Sequence, residues 1–181
     1  MKLKLSFLAP STYGKSTAVS ILMKNYDANN IRIAEPLYQL QEIFYTFLGM
    51  TIEEKQDGEL LQFYGLKIRK ESPMFLLDEF IKRLNNQTSS IILNDDCRPY
   101  DYETLKSLGF IFIRINGMPR NRDDHRAANA REIVEWQSDI PCDYEVDNIG
   151  TLEEYEENLN TLVERIRNEM LYCSSSKNLH M

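Results

Sequence analysis

The sequence predicts an α/β fold built on a parallel β-sheet, and three observations support this. The apolar run at residues 3–8 passes through a short turn directly into a helical pattern. Residues 90–94 are almost continuously apolar, which is typical of a central parallel strand buried on both faces. Further apolar runs then alternate with helical patterns towards the C-terminus, the order of elements expected of an α/β protein.

Length and composition limit the function classes. A chain of 181 residues is long enough for one α/β core with small additions, and short for two independent domains. Its 43% hydrophobic and 27% charged residues indicate a globular protein. The formal net charge of −7 argues against a broad nucleic-acid surface, which needs a basic face, but is compatible with a local basic cleft.

Cysteine usage and hydropathy predict a cytoplasmic location. Cys97, Cys142 and Cys173 are widely spaced and odd in number, which favours neither a disulfide framework nor a metal cluster. The first residues lead into a strand pattern rather than the apolar core of a signal peptide. Since no apolar run approaches about 20 residues, we expect a soluble protein without a membrane span.

The turn after the first strand carries the most specific motif in the chain. Residues 9–16 read A-P-S-T-Y-G-K-S, which fits the P-loop pattern G-x-x-x-x-G-K-[ST] except that Ala9 replaces the first glycine. Unpaired N–H groups at a helix start bind anions, and Gly14 lets the backbone approach a phosphate. Lys15 can reach the β- and γ-phosphates, and the Ser16 hydroxyl can bind Mg²⁺. The predicted phosphate-binding residues are Ser11, Thr12, Tyr13, Gly14, Lys15, Ser16 and Thr17.

The second strand is predicted at residues 31–34, after a turn at residues 27–30. Glu35 then lies just past a strand end, on the edge where open α/β sheets bind ligands. Its carboxylate could hold or deprotonate a phosphoryl acceptor. Alternatively, it could simply interact favourably with the positive end of the helix dipole. The helix that follows Pro36 is predicted to end at Gly49 and to carry one apolar face, comprising Leu37, Leu40, Ile43, Phe44 and Phe47.

Residues 49–88 are predicted to form a helical insertion between two strands, a natural cap over a substrate. Arg69 and Lys70 could pair with an acceptor phosphate, and Gln62 could contact the edge of a base. Simple solvation of these polar side chains on helix surfaces is the alternative.

The apolar run at residues 90–94 leads into Asp95, Asp96 and Arg98. A carboxylate at the end of such a strand can hold Mg²⁺ beside a P-loop. Spacing does not decide between Asp95 and Asp96, and Arg98 could face either phosphate. A charged surface turn is the alternative reading.

A basic cluster follows the fourth strand, which is predicted at residues 110–115. Arg120, Arg122 and Arg126 lie within residues 117–140, which we interpret as an arginine-bearing lid that closes over ATP. A solvated helix of mixed charge is the alternative. The last strand is predicted within residues 141–148, and Thr151 and Glu154 predict a capping box for the C-terminal helix.

The order of these pieces resembles the nucleoside monophosphate kinase group of P-loop kinases, and most of all the phage-type deoxynucleoside monophosphate kinases. The matching segments are residues 9–17, 34–37, 60–65 with Arg69, 94–99 and 143–152. The resemblance implies a P-loop NTPase three-layer sandwich whose five parallel strands have the order 2-3-1-4-5. It implies one domain over residues 1–172, including the helical acceptor cap (49–88) and the lid (117–140), with residues 173–181 as a tail without chemistry.

The resemblance also implies ATP and Mg²⁺ as cofactors and assigns roles to the site residues. Lys15 and the loop amides would hold the β- and γ-phosphates, and Ser16 and Asp96 would hold Mg²⁺. Glu35, Gln62, Arg69 and Arg98 would place the acceptor, while Arg120, Arg122 and Arg126 would stabilise the developing charge. The chain departs from the family pattern at Ala9 and at Glu35, where an aspartate is expected.

Two alternatives remain open at this point. Glu-Pro after the second strand also resembles deoxynucleoside kinases, so the acceptor could be a hydroxyl of a nucleoside, of a hydroxymethylated base in DNA, or of dephospho-coenzyme A. The negative net charge of the chain argues against DNA as the acceptor. Ala9 is compatible with a nucleotide-binding module that does not catalyse. The chain could also form a homodimer.

Overall fold

The computed structural model describes residues 2–50, 56–117 and 140–177, with side chains to residue 172, and centres on a five-stranded parallel sheet. The strand order β2-β3-β1-β4-β5 confirms the predicted topology. The strands are β1 (Leu3–Leu8), β2 (Ala28–Asn30), β3 (Ile91–Asn94), β4 (Ile111–Gly117) and β5 (Tyr144–Asn148). The described helices are α1 (Lys15–Asn25), α2 (Glu35–Phe47), α3 (Gly58–Glu71), α4 (Phe75–Asn85), α5 (Pro99–Ser107) and α6 (Leu152–Lys177).

Helices cover both faces of the sheet because alternate strand residues point to opposite sides. In β3, Ile91 and Leu93 pack with α1 and α6, whereas Ile92 packs with α4 and α5. All three side chains are fully buried. The predicted three-layer arrangement follows from this alternation, with β1 and β3 at its centre.

The second strand lies three residues earlier than predicted. Residues 27–30 were expected to form a turn and residues 31–34 a strand, but β2 comprises Ala28–Asn30. The Asp27 carbonyl oxygen accepts the Ile91 amide at 3.0 Å, which sets the register Ala28 to Ile91. Ile31 and Ile33 are buried as expected, yet the Ile33 amide bonds to a carboxylate of Asp96 rather than to the β3 ladder.

The apolar face predicted for α2 lies mostly on the exposed side of the helix. Leu37 is buried, but Ile43, Phe44 and Phe47 are 64%, 38% and 86% exposed. The inward side of the helix includes buried Gln41, whose side-chain oxygen accepts the Asp57 amide at 2.8 Å. Periodicity identified the apolar stripe correctly but not the direction in which it points.

The other boundaries differ from the predictions by a few residues. The sequence pattern places a short helix at residues 102–108, but α5 begins at Pro99, where the missing N–H of proline costs nothing in the first turn. Helix α6 continues to Lys177 and so includes part of the expected tail. The capping box is confirmed, because the Thr151 amide donates to Glu154 Oε2 (2.7 Å) and the Glu154 amide to Thr151 Oγ1 (3.2 Å).

Insertion α3–α4 joins α2 to β3, as expected for the cap. Both helices bury apolar residues against the α2 and α5 side of the sheet, including Leu61, Leu76, Leu77, Phe80 and Leu84. Over the described ranges, no helix is both long enough and apolar enough to cross a bilayer.

Candidate active site

The loop between β1 and α1 has the backbone conformation of an anion cradle. Gly14 stands at the N-cap of α1 with φ +99°, a left-handed conformation that favours glycine. Thr12 also has a positive φ of 70°, which is uncommon for a β-branched residue. Backbone held in sparsely populated conformations concentrates at functional sites, at a cost of about 1–3 kcal/mol each. The loop is therefore held in its shape by its surroundings.

The end of β5 and the start of α6 supply that support. Asn148 Nδ2 donates to the Tyr13 carbonyl at 2.9 Å, and the Tyr155 hydroxyl donates to the Gly14 carbonyl at 3.3 Å. A Cβ on Gly14 would lie 2.3 Å from Asn148 Nδ2. Both Asn148 and Tyr155 are buried. Glycine is thus required at position 14 by close contact as well as by its φ.

Lys15 lies at the first position of α1 and folds back over the loop. Its Nζ donates to the Ala9 carbonyl at 2.5 Å and to the Pro10 carbonyl at 2.8 Å. Burial, together with the neighbouring positive charge of Arg98, lowers the pKa of Lys15 to about 8, against the opposing effect of Asp95 and Asp96. The ammonium group is therefore partly desolvated and ready to take an anionic partner.

The other loop residues surround the helix start. Ser16 is exposed in the first turn of α1, and Tyr13 packs against the core cluster on the α1 and α6 side of the sheet. Ser11, Thr12 and Thr17 are half-buried. Among the described residues no three His, Cys, Asp or Glu side chains gather into a metal site. Mg²⁺ at phosphoryl-transfer sites takes one or two protein ligands plus substrate phosphates, so an exposed Ser16 hydroxyl with one nearby carboxylate fits that ion.

The two aspartates after β3 bind different groups of the segment between β2 and α2. Asp95 is 6% exposed and forms a bidentate ion pair with Arg32, with Nε–Oδ1 and Nη2–Oδ2 distances of 3.0 and 3.1 Å. Asn30 Nδ2 adds a hydrogen bond to Oδ1 at 3.1 Å. Asp95 therefore fixes the segment between β2 and α2 to the end of β3.

Asp96 binds the backbone of the same segment. Its carboxylate accepts the amides of Ile33 (2.9 Å) and Ala34 (2.8 Å), and Asn94 Nδ2 at 2.7 Å. Burial raises the pKa of Asp96, while these hydrogen bonds oppose the rise. The carboxylate thereby shapes the turn that presents Glu35. Its role as a magnesium ligand stays a prediction.

Glu35 is the first residue of α2, where its negative charge interacts favourably with the positive end of the helix dipole. The Arg83 guanidinium lies close enough to interact electrostatically with Glu35 and Asp96, although burial lowers the pKa of Arg83. Arg83 Nε donates to the Glu79 carbonyl at 3.1 Å, and Nη2 is buried without a hydrogen-bond partner in the described part of the chain. Arg83 was not among the predicted site residues.

A second cluster forms where α3 meets the start of α5. Arg69 pairs with Asp101, with Nη1–Oδ1 and Nη2–Oδ2 distances of 3.2 and 3.3 Å. The Arg69 guanidinium lies 4.0 Å from the ring centroid of Tyr100. Arg98 precedes α5, and its amide donates to Asp101 Oδ2 at 3.2 Å. The structure thus brings the Arg69 guanidinium and the backbone amide of Arg98 to the same carboxylate; both residues were predicted to bind the acceptor.

The remaining predicted residues are not tested in the same way. Gln62 is exposed on α3, seven residues before Arg69 and hence on the same helix face. Arg120, Arg122 and Arg126, together with most of the predicted lid, lie outside the described residues.

Sequence reasoning missed the residues that position the site, chiefly Arg32, Asp101, Asn148 and Tyr155. A signal existed for Asn148, because it ends a parallel strand at the edge where α/β sheets bind ligands. Asp101 follows Arg98 by three residues, the spacing of a helix N-terminal box. Arg32 and Tyr155 meet their partners across 63 and 141 residues of chain, which local patterns do not reveal.

Two solved structures resemble the chain over nearly their whole length. One is a shikimate kinase from Bacteroides thetaiotaomicron, with 14% identity over 91% of this chain and 98% of that one, and a TM-score of 0.56. The other is an unliganded sugar kinase from a Janibacter species, with 13% identity over 91% of this chain and 95% of that one, and a TM-score of 0.53. No family model and no curated protein sequence matches the chain. At these identities the likeness concerns the fold, and the chain has the P-loop kinase fold.

Proposed function

We propose that the protein transfers the γ-phosphoryl group of ATP to a nucleoside monophosphate or close analogue, with deoxynucleoside monophosphates as the preferred class. The observation that carries this proposal is the meeting of Lys15 and Arg98 at the carboxyl edge of the sheet. Lys15 belongs to the phosphate loop and Arg98 to the acceptor side, and Arg98 lowers the pKa of Lys15 through its charge. Two cations from opposite halves that lie close enough to influence each other electrostatically suit a group passed between two phosphates.

The donor half follows the usual division of labour in P-loop enzymes. Lys15 and the amides at the start of α1 hold the β- and γ-phosphates. Ser16 and Asp96 hold Mg²⁺, with Asp95 as the alternative carboxylate, and the ion neutralises charge on the phosphates. Because the transition state of phosphoryl transfer is loose, positioning and charge neutralisation account for most of the rate.

The acceptor half uses charges supplied by three elements. Arg69 of α3 and Arg98 before α5 bind the acceptor phosphate, and Glu35 at the start of α2 orients the acceptor. Gln62, on the Arg69 face of α3, contacts the base. Arginine suits this purpose because its planar guanidinium binds phosphate in a bidentate manner. We propose in addition that Arg120, Arg122 and Arg126 close over the transferring group.

The test is a transfer assay with Mg·ATP and a panel of acceptors, with products identified by mass. The panel contains the four common deoxynucleoside monophosphates, their ribose counterparts, nucleosides, dephospho-coenzyme A and hydroxymethylated DNA. We expect a diphosphate product from at least one monophosphate and none from K15A. Turnover of ATP confined to hydroxyl acceptors would overturn the phosphate-acceptor assignment, and ATP binding without any product would indicate a non-catalytic module.

A hydroxyl acceptor is the second candidate, and Glu35 is the observation that favours it. A carboxylate at the first residue of α2 could take the proton of a hydroxyl group as it attacks. Sugars and shikimate join the panel for this reason, since the two similar structures are a sugar kinase and a shikimate kinase. Under this reading E35Q would abolish turnover, whereas with a phosphate acceptor we expect E35Q mainly to raise the acceptor KM.

Two further expectations concern the setting of the protein. We propose that it acts in the cytoplasm, where ATP and nucleotides are abundant, and that it forms a homodimer. The exposed stripe of Ile43, Phe44 and Phe47 on α2 supports an apolar interface. Sedimentation of wild type against F47E tests the dimer, which the substitution should dissociate.

A further inference from the structure

Asp101 is a fully buried carboxylate to which the proposed mechanism gives no task. It lies in the first turn of α5, and its side chain is 0% exposed. Its partners come from two parts of the chain: the guanidinium of Arg69 on α3, and the backbone amide of Arg98. The insertion and the sheet edge therefore meet at this side chain.

The hydrogen-bonding capacity of the Asp101 carboxylate is not fully used. Oδ2 accepts the Arg98 amide at 3.2 Å and Arg69 Nη2 at 3.3 Å, both long for charged hydrogen bonds. Oδ1 lies 3.2 Å from Arg69 Nη1 but has no well-aligned hydrogen bond among the described residues. A buried carboxylate with weak partners contributes little to stability, and an apolar pair would often serve the fold as well. An under-satisfied buried group of this kind calls for an explanation, and a functional role is one.

Arg69 is held on two sides. Asp101 contacts its edge at Nη1 and Nη2, and the Tyr100 ring lies against its face at 4.0 Å from the centroid. Because a guanidinium carries five N–H donors, one that binds Asp101 can also donate to a second anion. The Arg69 side chain is 20% exposed, so part of it reaches the surface of the site.

We propose that Asp101 is the positioning residue of the acceptor site, holding Arg69 beside Arg98 so that both guanidinium groups meet one acceptor anion. This inference rests on the proposed function, because it assumes that Arg69 and Arg98 bind the acceptor. Asp101 itself does not touch the acceptor. It joins the Arg69 guanidinium on the insertion to the backbone amide of Arg98 in the β3–α5 segment, and so sets where Arg69 lies relative to the residue that carries the second cation.

The isosteric substitution Asp101→Asn tests this directly. Loss of the carboxylate charge should release Arg69 and raise the acceptor KM by about 10- to 100-fold, the range for hydrogen bonds to charged groups. The affinity for Mg·ATP should change less than twofold, since no Asp101 contact reaches the phosphate loop. E71Q is the matched control: it removes an exposed ion pair with Lys67 on the same helix, and we expect no change in KM.

A double-mutant cycle separates positioning from a structural role. If Asp101 acts through Arg69, R69Q and D101N should each raise the acceptor KM, and D101N should add less than twofold in the R69Q background. Additive effects, or an unchanged KM in D101N, would overturn the inference. Equal weakening of ATP and acceptor would also overturn it, because it would indicate general loss of structure. Thermal unfolding of each variant identifies such a loss independently.

Failure of the proposed function gives a different result. In that case wild type phosphorylates no monophosphate, and calorimetry detects no binding of any deoxynucleoside monophosphate. Failure of this inference alone gives an active wild type in which the acceptor KM of D101N is unchanged.

Discussion

The two halves of the site are held in place by different kinds of interaction. On the donor side, Asn148 and Tyr155 support the phosphate loop through neutral hydrogen bonds to backbone carbonyls of Tyr13 and Gly14. On the acceptor side, aspartates hold charged or backbone partners, as in the pairs of Asp95 with Arg32 and Asp101 with Arg69. The donor side therefore depends on close packing around glycine, and the acceptor side on charge.

This difference suits the two ligands. Under the proposed function, backbone amides at the start of α1 bind the triphosphate, so a rigid loop suffices. The proposed acceptor site places several arginines around one anion, and arginines otherwise repel one another. Carboxylates between them reduce that repulsion and set their directions. We expect changes on the donor side to affect ATP, and changes on the acceptor side to affect the acceptor.

The largest expected effect is on the donor side, from K15A. Loss of the ammonium group should lower kcat by about 10²–10³-fold or more, as for other residues that stabilise transition-state charge. K24A is the control, since Lys24 lies on the same helix with its side chain 73% exposed. K24A should retain full activity, and both variants should keep the fold by circular dichroism. Wild-type turnover in K15A would contradict the assignment of the loop.

Gly14→Ala should weaken ATP binding by at least tenfold and lower the melting temperature. The new Cβ would clash with Asn148 Nδ2 at 2.3 Å, and the residue would retain a φ of +99°. Gly49 gives a matched control, because its φ is +65° with no atom within 4 Å of a new Cβ. G49A therefore carries the conformational cost of about 1 kcal/mol without the clash. Equal effects of the two substitutions would mean that contact with Asn148 is unimportant.

The two halves should respond to opposite ends of the pH range. With the pKa of Lys15 lowered to about 8 by burial and by Arg98, the ammonium group is lost as pH rises through 8. ATP affinity should then fall by up to tenfold per pH unit. K15R, whose guanidinium stays charged, should show no such fall. Titration calorimetry between pH 7 and 9.5 measures the ATP affinity of wild type and of K15R. A wild-type affinity that does not change over this range would contradict the prediction.

On the acceptor side, KM should rise as pH falls. Burial raises the pKa of Asp101 to about 6, with Arg69 opposing and Asp96 adding to the rise; Arg98, Cys97 and Tyr100 are its other charged or titratable neighbours. Below pH 6 the carboxyl is neutral and no longer pairs with Arg69. A monophosphate also titrates near pH 6, so D101N is the reference: its profile contains the ligand's contribution alone. If the acceptor KM of wild type and of D101N changed with pH in the same way, the prediction would be contradicted.

The smallest effect expected is from N148A. Removing one neutral hydrogen bond to Tyr13 should raise the ATP Kd by about 3- to 10-fold. The acceptor KM should stay within twofold of wild type. N158A provides the control, because Asn158 donates to the Asp147 carbonyl at 3.2 Å from an exposed position. A larger effect of N148A on the acceptor than on ATP would remove the distinction between the halves.

Local patterns predicted part of the fold. The turn between β1 and α1 and the C-terminal capping box follow from short sequence signals, and the structure confirms both. The sheet order was implied by the family resemblance, and the structure confirms it as well. The roles of the donor-site residues stay predictions. The β2 boundary was missed because Ala28–Asn30 has no strand-like composition and pairs through its backbone with β3. The direction of the α2 stripe depends on tertiary packing, in which Gln41 rather than Phe47 faces inward.

On the proposed acceptor side, the sequence indicated Arg69 and Arg98 by their charge, and their roles as ligands stay predictions. It did not indicate Asp101, since a carboxylate in the first turn of a helix is ordinarily a dipole partner. Its burial and its pairing with Arg69 across 32 residues follow from how the insertion packs on α5. Residues that support a site in this way can be identified only when the tertiary contacts are known.

The most direct test of the account is a calorimetric titration with the magnesium complex of a non-hydrolysable ATP analogue. We expect wild type and K24A to bind it with the same affinity, and K15A to bind at least 100-fold more weakly. D101N should bind the analogue with the affinity of wild type, because the charge of Asp101 that it removes belongs to the acceptor half. Absence of binding to wild type, or equal binding to wild type and K15A, would contradict the claim that this loop grips a triphosphate.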